Sequence, residues 1–274
     1  MDLAVTKDGV VVVTHDPVLN PDIVRLPNGA WLAQPGDAIR LLRAADLRRY
    51  DVGRLRPDSA YAKQYPDQVG VDGTTVPTLE EVYGLVRRAG NGEVRLNIET
   101  KSDPGTPSWT PPPSEFVDLV LKVVRKAGMA DRTMIQSFDW RTLRAVQKEA
   151  PEIETVCLTT DELGGRQLAR GQPGASPWLG GLDADDYGGS APRLAAAAKC
   201  RVWSPRALDL TADTLAEAHR LGLRVVPWTV NEAPAMKALI DLGVDGIISD
   251  RPDRLREAMR EKGLPLPKPT PVGP

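Results

Sequence analysis

The hydrophobic and polar positions of this 274-residue chain form short apolar runs that alternate with amphipathic stretches. Near the start, residues 3–5 and 10–13 are apolar and largely β-branched, and the Asp8-Gly9 pair between them is typical of a hairpin turn. Pro17 ends the second arm, because proline cannot donate to a strand ladder. We therefore predict a β-hairpin at the beginning of the chain.

Residues 17–77 show no regular periodicity. Pro, Gly, Asn and Asp recur along this segment, and one short helical patch is expected around Ala45–Tyr50. We interpret the segment as a long insertion that folds onto the body of the protein rather than as a separate domain.

From Pro77 onward, strand patterns and helix patterns alternate regularly. Thr78-Leu-Glu-Glu81 is a capping box, and the helix after it is expected to bury a stripe of Leu79, Val82, Leu85 and Val86. Further strands are predicted at 94–99, 134–136, 155–158, 201–203, 224–228 and 246–249. Further helices are predicted from near 114 to 128 and at 140–149, 192–198, 211–221, 233–242 and 252–260. The stretch 164–189 is expected to be irregular, and the proline-rich tail 263–274 to be disordered.

Short, continuously apolar strands that alternate with helices are typical of parallel βαβ units. With residues 3–5 counted as one, seven strands are predicted, one fewer than a (β/α)8 barrel contains. We predict an α/β fold, a (β/α)8 TIM-type barrel domain over residues 1–262, and place the missing first strand and helix before Met1. An open doubly wound sheet is the alternative, but no glycine-rich phosphate loop follows the first strand.

Composition narrows the classes of function. The chain has 35 Lys and Arg against 37 Asp and Glu, a formal net charge of −2, which argues against a nucleic-acid-binding surface. It contains no apolar run of about 18 residues, so no membrane span is expected. Cys157 and Cys200 are expected to be small buried hydrophobic residues, without a disulfide framework or metal-ligand spacing.

Several polar residues stand at the C-terminal ends of predicted strands, where barrel enzymes carry their catalytic groups. They are Glu99 with Lys101, Gln136, Trp228 with Asn231, and Asp250. An ordinary ion pair would account for Glu99 and Lys101, which share a strand face. Of the two histidines, His219 suits the dipole of a helix end and needs no further role. An isolated histidine such as His15 is more often structural than catalytic.

Seven segments, in order along the chain, resemble the glycerophosphodiester phosphodiesterase family. They are 2–10 (DLAVTKDGV), 12–16 (VVTHD), 76–82 (VPTLEEV), 96–101 (LNIETK), 136–139 (QSFD), 228–231 (WTVN) and 243–250 (GVDGIISD). The resemblance implies a (β/α)8 barrel that hydrolyses glycerophosphodiesters to glycerol 3-phosphate and an alcohol. It also implies two histidines as general acid and base, and a divalent cation held by carboxylates.

The resemblance assigns roles to individual residues of this chain. His15 matches the second of the family's histidines and is the predicted catalytic residue. Asp2 matches the aspartate of a Glu-x-Asp metal pair, and Glu99 matches the later metal carboxylate. Oxygen-only ligands select a hard cation, so Mg²⁺ or Ca²⁺ is the expected cofactor.

Three residues are expected to bind the substrate. Lys101 matches the family's lysine near the phosphate, where a positive charge would stabilise the phosphoryl oxygens. Trp228 matches a tryptophan that lines the pocket, and its apolar wall suits the glycerol carbons. Gln136 lies in the QSFD segment and is expected to contact the substrate as well. The expected partner is a small-molecule diester.

The chain also departs from the family pattern. The family opens with a His-Arg motif, a Pro-Glu-Asn-Thr helix start and the glutamate of Glu-x-Asp, and this glutamate would fall directly before Met1. We therefore expect an N-terminally truncated chain with impaired activity, because losing one member of an acid–base set costs orders of magnitude. Localisation stays open, since a signal peptide would lie in the missing part. The sequence does not indicate the oligomeric state.

Two other functions are compatible with the same residues. One is a non-catalytic barrel that retains a phosphate-binding pocket, and the other is a related phospholipase D-type lipid hydrolase. The loops at 17–77 and 102–113 are polar and proline-rich, so we expect small water-soluble diesters to be preferred over lipids.

Overall fold

The computed structural model describes residues 1–162 and 166–272. The chain divides into two compact units, Met1–Thr133 and Met134–Pro274. The predicted irregular stretch 164–189 begins outside the described residues, and the predicted disordered tail 263–274 ends outside them. A single barrel domain over 1–262 stays a prediction.

The first unit contains three strands, β1 (Asp2–Val5), β2 (Val11–Val13) and β3 (Leu96–Thr100). β1 and β2 form the predicted antiparallel hairpin, and β3 pairs with β1 in parallel. Gly9 has a φ of 77° in the hairpin turn, a conformation that glycine adopts without steric cost. β1 is thus the middle strand of the three, with antiparallel β2 on one side and parallel β3 on the other.

The four helices of this unit are α1 (Ala44–Leu47), α2 (Ala60–Gln64), α3 (Leu79–Arg88) and α4 (Pro113–Ala127). α4 buries an apolar stripe and ends at Gly128 in the left-handed conformation, as its predicted end at 128 requires. The stripe consists of Phe116, Val117, Val120, Leu121 and Val124. Within residues 1–162 and 166–272, no helix has the length and apolar character needed to cross a membrane.

The start of α3 is confirmed, but its buried face differs from the prediction. Thr78 and Glu81 form the capping box. Leu85, however, is 44% exposed, whereas Tyr83 is fully buried. The Tyr83 hydroxyl hydrogen-bonds to Thr133 Oγ1 at 2.9 Å, so this large ring enters the core with its polar atom satisfied. The face of α3 that packs into the core is therefore not the face predicted from the positions of its apolar residues.

The 17–77 insertion packs on the hairpin. Leu19, Val24, Ile39, Leu47 and Val76 are buried together with Ala4 and Val12 of the hairpin. The helical patch expected near Ala45–Tyr50 is α1. α2 was not predicted, and its first turn is stabilised by the Ser59 hydroxyl, which accepts a hydrogen bond from the Ala62 N–H.

Among the described residues of the second unit, 134–162 and 166–272, four parallel strands follow one another in chain order. They are β4 (Thr133–Ser137, whose first residue belongs to the first unit), β5 (Glu154–Thr159), β6 (Val202–Pro205) and β7 (Arg224–Val225). The helices are α5 (Trp140–Glu149), α6 (Ala191–Ala197), α7 (Ala212–Arg220), α8 (Ala233–Leu242) and α9 (Pro252–Glu261). Strand and helix alternate here as the pattern predicts.

The predicted strand 246–249 is wrong, and the strand predicted at 224–228 is only two residues long. The Ile248 N–H donates to the Pro227 carbonyl and the Val230 N–H to the Ile248 carbonyl, both at 2.9 Å. Pro227 has no N–H to donate, so the hydrogen bonds between this segment and residues 246–249 do not form a regular β-ladder. The segment 246–249 is held beside β7 without becoming a strand.

Cys157 and Cys200 form a disulfide, with their Cα atoms 5.9 Å apart. Both residues are buried, as expected, but the prediction of two separate hydrophobic residues is wrong. Cys157 lies in β5, and Cys200 lies just before β6. The parallel pairing of Val156 with Val202 brings these two segments together, although 43 residues separate the cysteines along the chain.

Candidate active site

The register between β1 and β3 places two carboxylates side by side. Asp2 opens β1, and its pairing partner is Glu99, near the end of β3. The Glu99 N–H donates to the Met1 carbonyl at 2.8 Å, which fixes this register. The two residues with predicted metal-binding roles therefore meet in the first unit.

Glu99 is the buried member of this pair. Its side chain is 8% exposed. Burial raises the pKa of Glu99 well above its ordinary value, the neighbouring Asp2 charge adds to this effect, and Lys101 opposes it. A buried carboxyl group beside a second acid is an environment that additional positive charge would stabilise.

Lys101 connects the carboxylates to His15. It follows β3 directly, and its Nζ lies 3.5 Å from Glu99 Oε1 and 3.3 Å from His15 Nε2. The ordinary ion pair between Glu99 and Lys101 is thus present. The same ammonium group also contacts the predicted catalytic histidine.

His15 lies at the end of the hairpin. The preceding residue, Thr14, donates its N–H to the Asp2 carbonyl at 2.9 Å, which holds this end of the hairpin against β1. The imidazole is 68% exposed, and its Nδ1 lies 2.9 Å from Asp16 Oδ1. The hydrogen bond to Asp16 raises the pKa of His15, against the opposing effects of partial burial and the Lys101 charge. The ring is therefore accessible and is stabilised in its protonated form.

These groups supply three kinds of chemistry within one network. The imidazole can take up and release a proton near neutral pH, the ammonium can bind an anion, and the carboxylates can bind a cation. Within residues 1–162 and 166–272, no three His, Cys, Asp or Glu side chains are arranged to hold a metal ion. Asp2 and Glu99 form a pair of oxygen donors, and their metal-binding role stays a prediction.

The other two predicted substrate-binding residues lie in the second unit. Gln136 is buried near the end of β4. Trp228 donates its indole N–H to the Ser204 carbonyl at 3.0 Å. Its ring packs edge-to-face against Phe138, with the ring centroids 5.3 Å apart. Phe138 received no role from the sequence, although it stands in the same QSFD segment as Gln136.

Asn231 and Asp250, the remaining polar candidates of the second unit, contact each other. Asn231 Nδ2 donates to Asp250 Oδ2 at 2.9 Å, and the Asp250 N–H donates to Asn231 Oδ1 at 2.9 Å. His219 Nε2 lies 3.0 Å from Asp245 Oδ2, which also accepts the Val225 N–H. These hydrogen bonds give Asn231, Asp250 and His219 a structural role.

Asp16 and Asn20, near His15, make contacts that were not predicted from the sequence. Asp16 belongs to the VVTHD segment at 12–16 that resembles the family. An acid directly after a histidine is a sequence signal for a histidine–carboxylate pair. Asn20 donates through Nδ2 to Asp16 Oδ2 at 2.7 Å. No sequence signal marked Asn20, because it lies in the irregular insertion.

A model of the glycerophosphoryl diester phosphodiesterase family matches residues 1–254. The chain belongs to this family. It is therefore an enzyme of the hydrolase class, a phosphodiesterase. A glycerophosphodiester phosphodiesterase from Caldanaerobacter subterraneus subsp. tengcongensis is 24% identical over 96% of this chain and 86% of the relative.

Solved structures of the family agree with the fold. A crystal structure from Silicibacter pomeroyi, described as a candidate glycerophosphoryl diester phosphodiesterase, is 34% identical, with a TM-score of 0.83 over 97% of this chain and 84% of that one. An Oleispira antarctica phosphodiesterase, solved with its product sn-glycerol-3-phosphate, is 19% identical, with a TM-score of 0.65 over 94% and 83% of the two chains. These structures are of the TIM-barrel type, and the predicted α/β fold class is confirmed.

Proposed function

We propose that this chain hydrolyses glycerophosphodiesters to glycerol 3-phosphate and an alcohol. The main support is the continuous contact from Glu99 through Lys101 to His15, in a chain that belongs to this phosphodiesterase family. The Oleispira antarctica relative, which contains sn-glycerol-3-phosphate as its product, agrees with this choice of product.

His15 and Lys101 have complementary parts in the proposed reaction. Lys101 binds a phosphoryl oxygen and offsets the negative charge that grows there as the diester reacts. His15 carries a proton on Nε2 when it is protonated, and this proton passes to the leaving alkoxide. The 3.3 Å distance between Lys101 Nζ and His15 Nε2 supports this division of roles, because both groups can then reach oxygens of one phosphate.

Asp2 and Glu99 would hold a divalent cation, Mg²⁺ or Ca²⁺. Their chemistry fits such an ion: both donors are carboxylates, one is buried, and they lie next to each other through the β1–β3 register. Mg²⁺ in particular is bound by one or two carboxylates and keeps several waters. When bound, the cation neutralises phosphate charge.

In the second unit, Gln136 and Trp228 stay proposed substrate-binding residues. Because the Trp228 ring is fixed by its contacts with Ser204 and Phe138, it offers a rigid apolar surface to the glycerol carbons. The loops at 17–77 and 102–113 are polar and proline-rich, so we propose small water-soluble diesters rather than lipids as substrates.

The proposal is tested with the purified full chain. Glycerophosphocholine is supplied with Mg²⁺ or Ca²⁺, and the release of glycerol 3-phosphate is followed with a coupled dehydrogenase. We expect slow turnover, because only His15 matches one of the two histidines that the resemblance implies, and EDTA should abolish it. His15→Gln should lower kcat at least 100-fold, because it removes the proton donor. His219→Gln is the matched control, since His219 also pairs with an aspartate, and it should leave turnover unchanged.

The same assay separates the alternatives. Binding of glycerophosphocholine without turnover, in the presence of either cation, would overturn the proposal in favour of a non-catalytic barrel. Faster cleavage of micellar lysophosphatidylcholine than of glycerophosphocholine would favour a lipid hydrolase instead.

A further inference from the structure

Asn20 is attached to the site by its side-chain amide. Its Nδ2 donates to Asp16 Oδ2 at 2.7 Å, and its Oδ1 accepts the Asp22 N–H at 2.8 Å. Because a backbone N–H can only donate, Oδ1 must face Asp22, and this assigns the amide nitrogen to Asp16. The orientation of the amide is thus fixed by its two partners.

The backbone around Asn20 is also well anchored. The Asn20 carbonyl accepts hydrogen bonds from the N–H groups of Ile23 and Val24, at 3.1 and 2.9 Å. Leu19, directly before it, is buried in the core shared by the insertion and the hairpin. Asn20 therefore holds Asp16 from a rigid part of the insertion.

Asp16 lies between Asn20 and the imidazole. One carboxylate oxygen accepts from Asn20, and the other lies 2.9 Å from His15 Nδ1. The hydrogen bond with His15 lowers the pKa of Asp16, and the Asn20 amide lowers it further, so the group is ionised and acts only as an acceptor. The proton of a neutral His15 ring must then reside on Nδ1, with Nε2 directed to Lys101.

We propose that Asn20 is a positioning residue: through Asp16 it fixes the tautomer and orientation of His15, so that Nε2 stands beside Lys101. The insertion thereby contributes to catalysis without touching the substrate. The tautomer follows from the contacts of the ring with ionised Asp16 and with Lys101, whereas its effect on turnover rests on the proposed function.

The tautomer is measured by long-range ¹H–¹⁵N NMR on the full chain labelled with ¹⁵N-histidine. The chain has only two histidines, and His219→Gln assigns the signals. In the unmodified protein, neutral His15 should carry its proton on Nδ1. Asn20→Ser keeps an acceptor for the Asp22 N–H but is too short to reach Asp16, and it should shift the ring toward the Nε2–H tautomer.

Two further variants make this result specific. Asn20→Asp keeps the length and the Asp22 contact but replaces the donor by an acceptor, and it should also disturb the tautomer. Asn28 accepts the Ala30 N–H in a similar turn of the same insertion, so Asn28→Ser is the matched control and should leave His15 unchanged. An unaltered His15 tautomer in both Asn20 variants would overturn the proposal.

The effect on turnover is measured with two leaving groups. Asn20→Ser should lower kcat for glycerophosphocholine roughly ten- to hundredfold with little change in KM, because a misplaced proton donor slows the chemical step. The loss should be much smaller for a p-nitrophenyl diester, whose leaving group needs no proton. Equal losses on both substrates would contradict the positioning role. If the unmodified chain hydrolyses neither diester, the proposed function fails, and the tautomer experiment still decides the role of Asn20.

Discussion

At the scale of single residues, Lys101 is the group on which the site depends most directly. Its side chain is mostly buried, and its ammonium group lies between the Glu99 carboxyl and the His15 ring. A lysine held between an acid and an imidazole has its charge placed in advance of the substrate. The charge is therefore preorganised, and the protein does not need to reorganise to place it when a phosphate binds.

We expect Lys101→Met to lower kcat/KM for glycerophosphocholine by about 10²–10³-fold, the usual effect of removing one electrostatic contact to a reacting oxyanion. Methionine keeps much of the side-chain volume, so the loss should come from the charge. Lys126 pairs with Glu80 at 2.8 Å in the same unit, and Lys126→Met is the matched control. The assignment of Lys101 to the phosphate fails if the two variants have the same kcat/KM.

At the scale of elements, the disulfide fastens β5 to the segment that leads into β6. These two strands are adjacent and parallel, but they are linked only through a long connection that contains α6. A covalent bond between them restricts the unfolded chain far more than it restricts the folded one. For a loop closed over a separation of 43 residues, this entropic effect is about 4 kcal/mol.

We therefore expect the free energy of unfolding to fall by about 4 kcal/mol when the disulfide is reduced. Urea unfolding curves with and without reductant measure the difference. The Cys157→Ala/Cys200→Ala double variant should resemble the reduced protein and should not respond to reductant. Two reactive thiols in the unfolded, unreduced protein would show that the pair is not oxidised.

The elements that the sequence predicted best are helices with a local signal at one end. α5 and α8 begin and end as expected, because the Asp139 side chain caps the first turn of α5 and Gly243 ends α8 in the left-handed conformation. Errors arose where the deciding partner is distant in sequence. Tyr83 is buried because Thr133 satisfies its hydroxyl, and 246–249 is not a strand because Pro227 interrupts its neighbour.

In the candidate site too, residues with a sequence signal were predicted and a residue without one was missed. Asp2, His15, Glu99 and Lys101 stand in segments that resemble the family, and the structure places all four in contact within the first unit. Asn20 carries no such signal. Its position depends on how the insertion packs against the hairpin, and a pattern of apolar residues does not specify that packing.

At the scale of the whole molecule, the proposed cation would link the site to folding. Asp2 and Glu99 belong to different strands, so they come together only when β1 and β3 have paired. The chain's net charge of −2 is small, and the repulsion that matters is local to these two carboxylates. A cation that binds them would therefore bind the folded state in preference to the unfolded chain, and would stabilise it.

We expect Mg²⁺ or Ca²⁺ to raise the melting temperature of the full chain. At a concentration 100 times the Kd, the stabilisation is about 2.7 kcal/mol, or a shift of roughly 5 °C for a chain of this size. EDTA should reverse the shift, and Asp2→Asn/Glu99→Gln should abolish it. Asp58→Asn is the matched control, because Asp58 is an exposed acid of the same unit that pairs with Arg56. If the double variant kept the full shift, the stabilising cation would bind elsewhere, and Asp2 and Glu99 would have only a structural role.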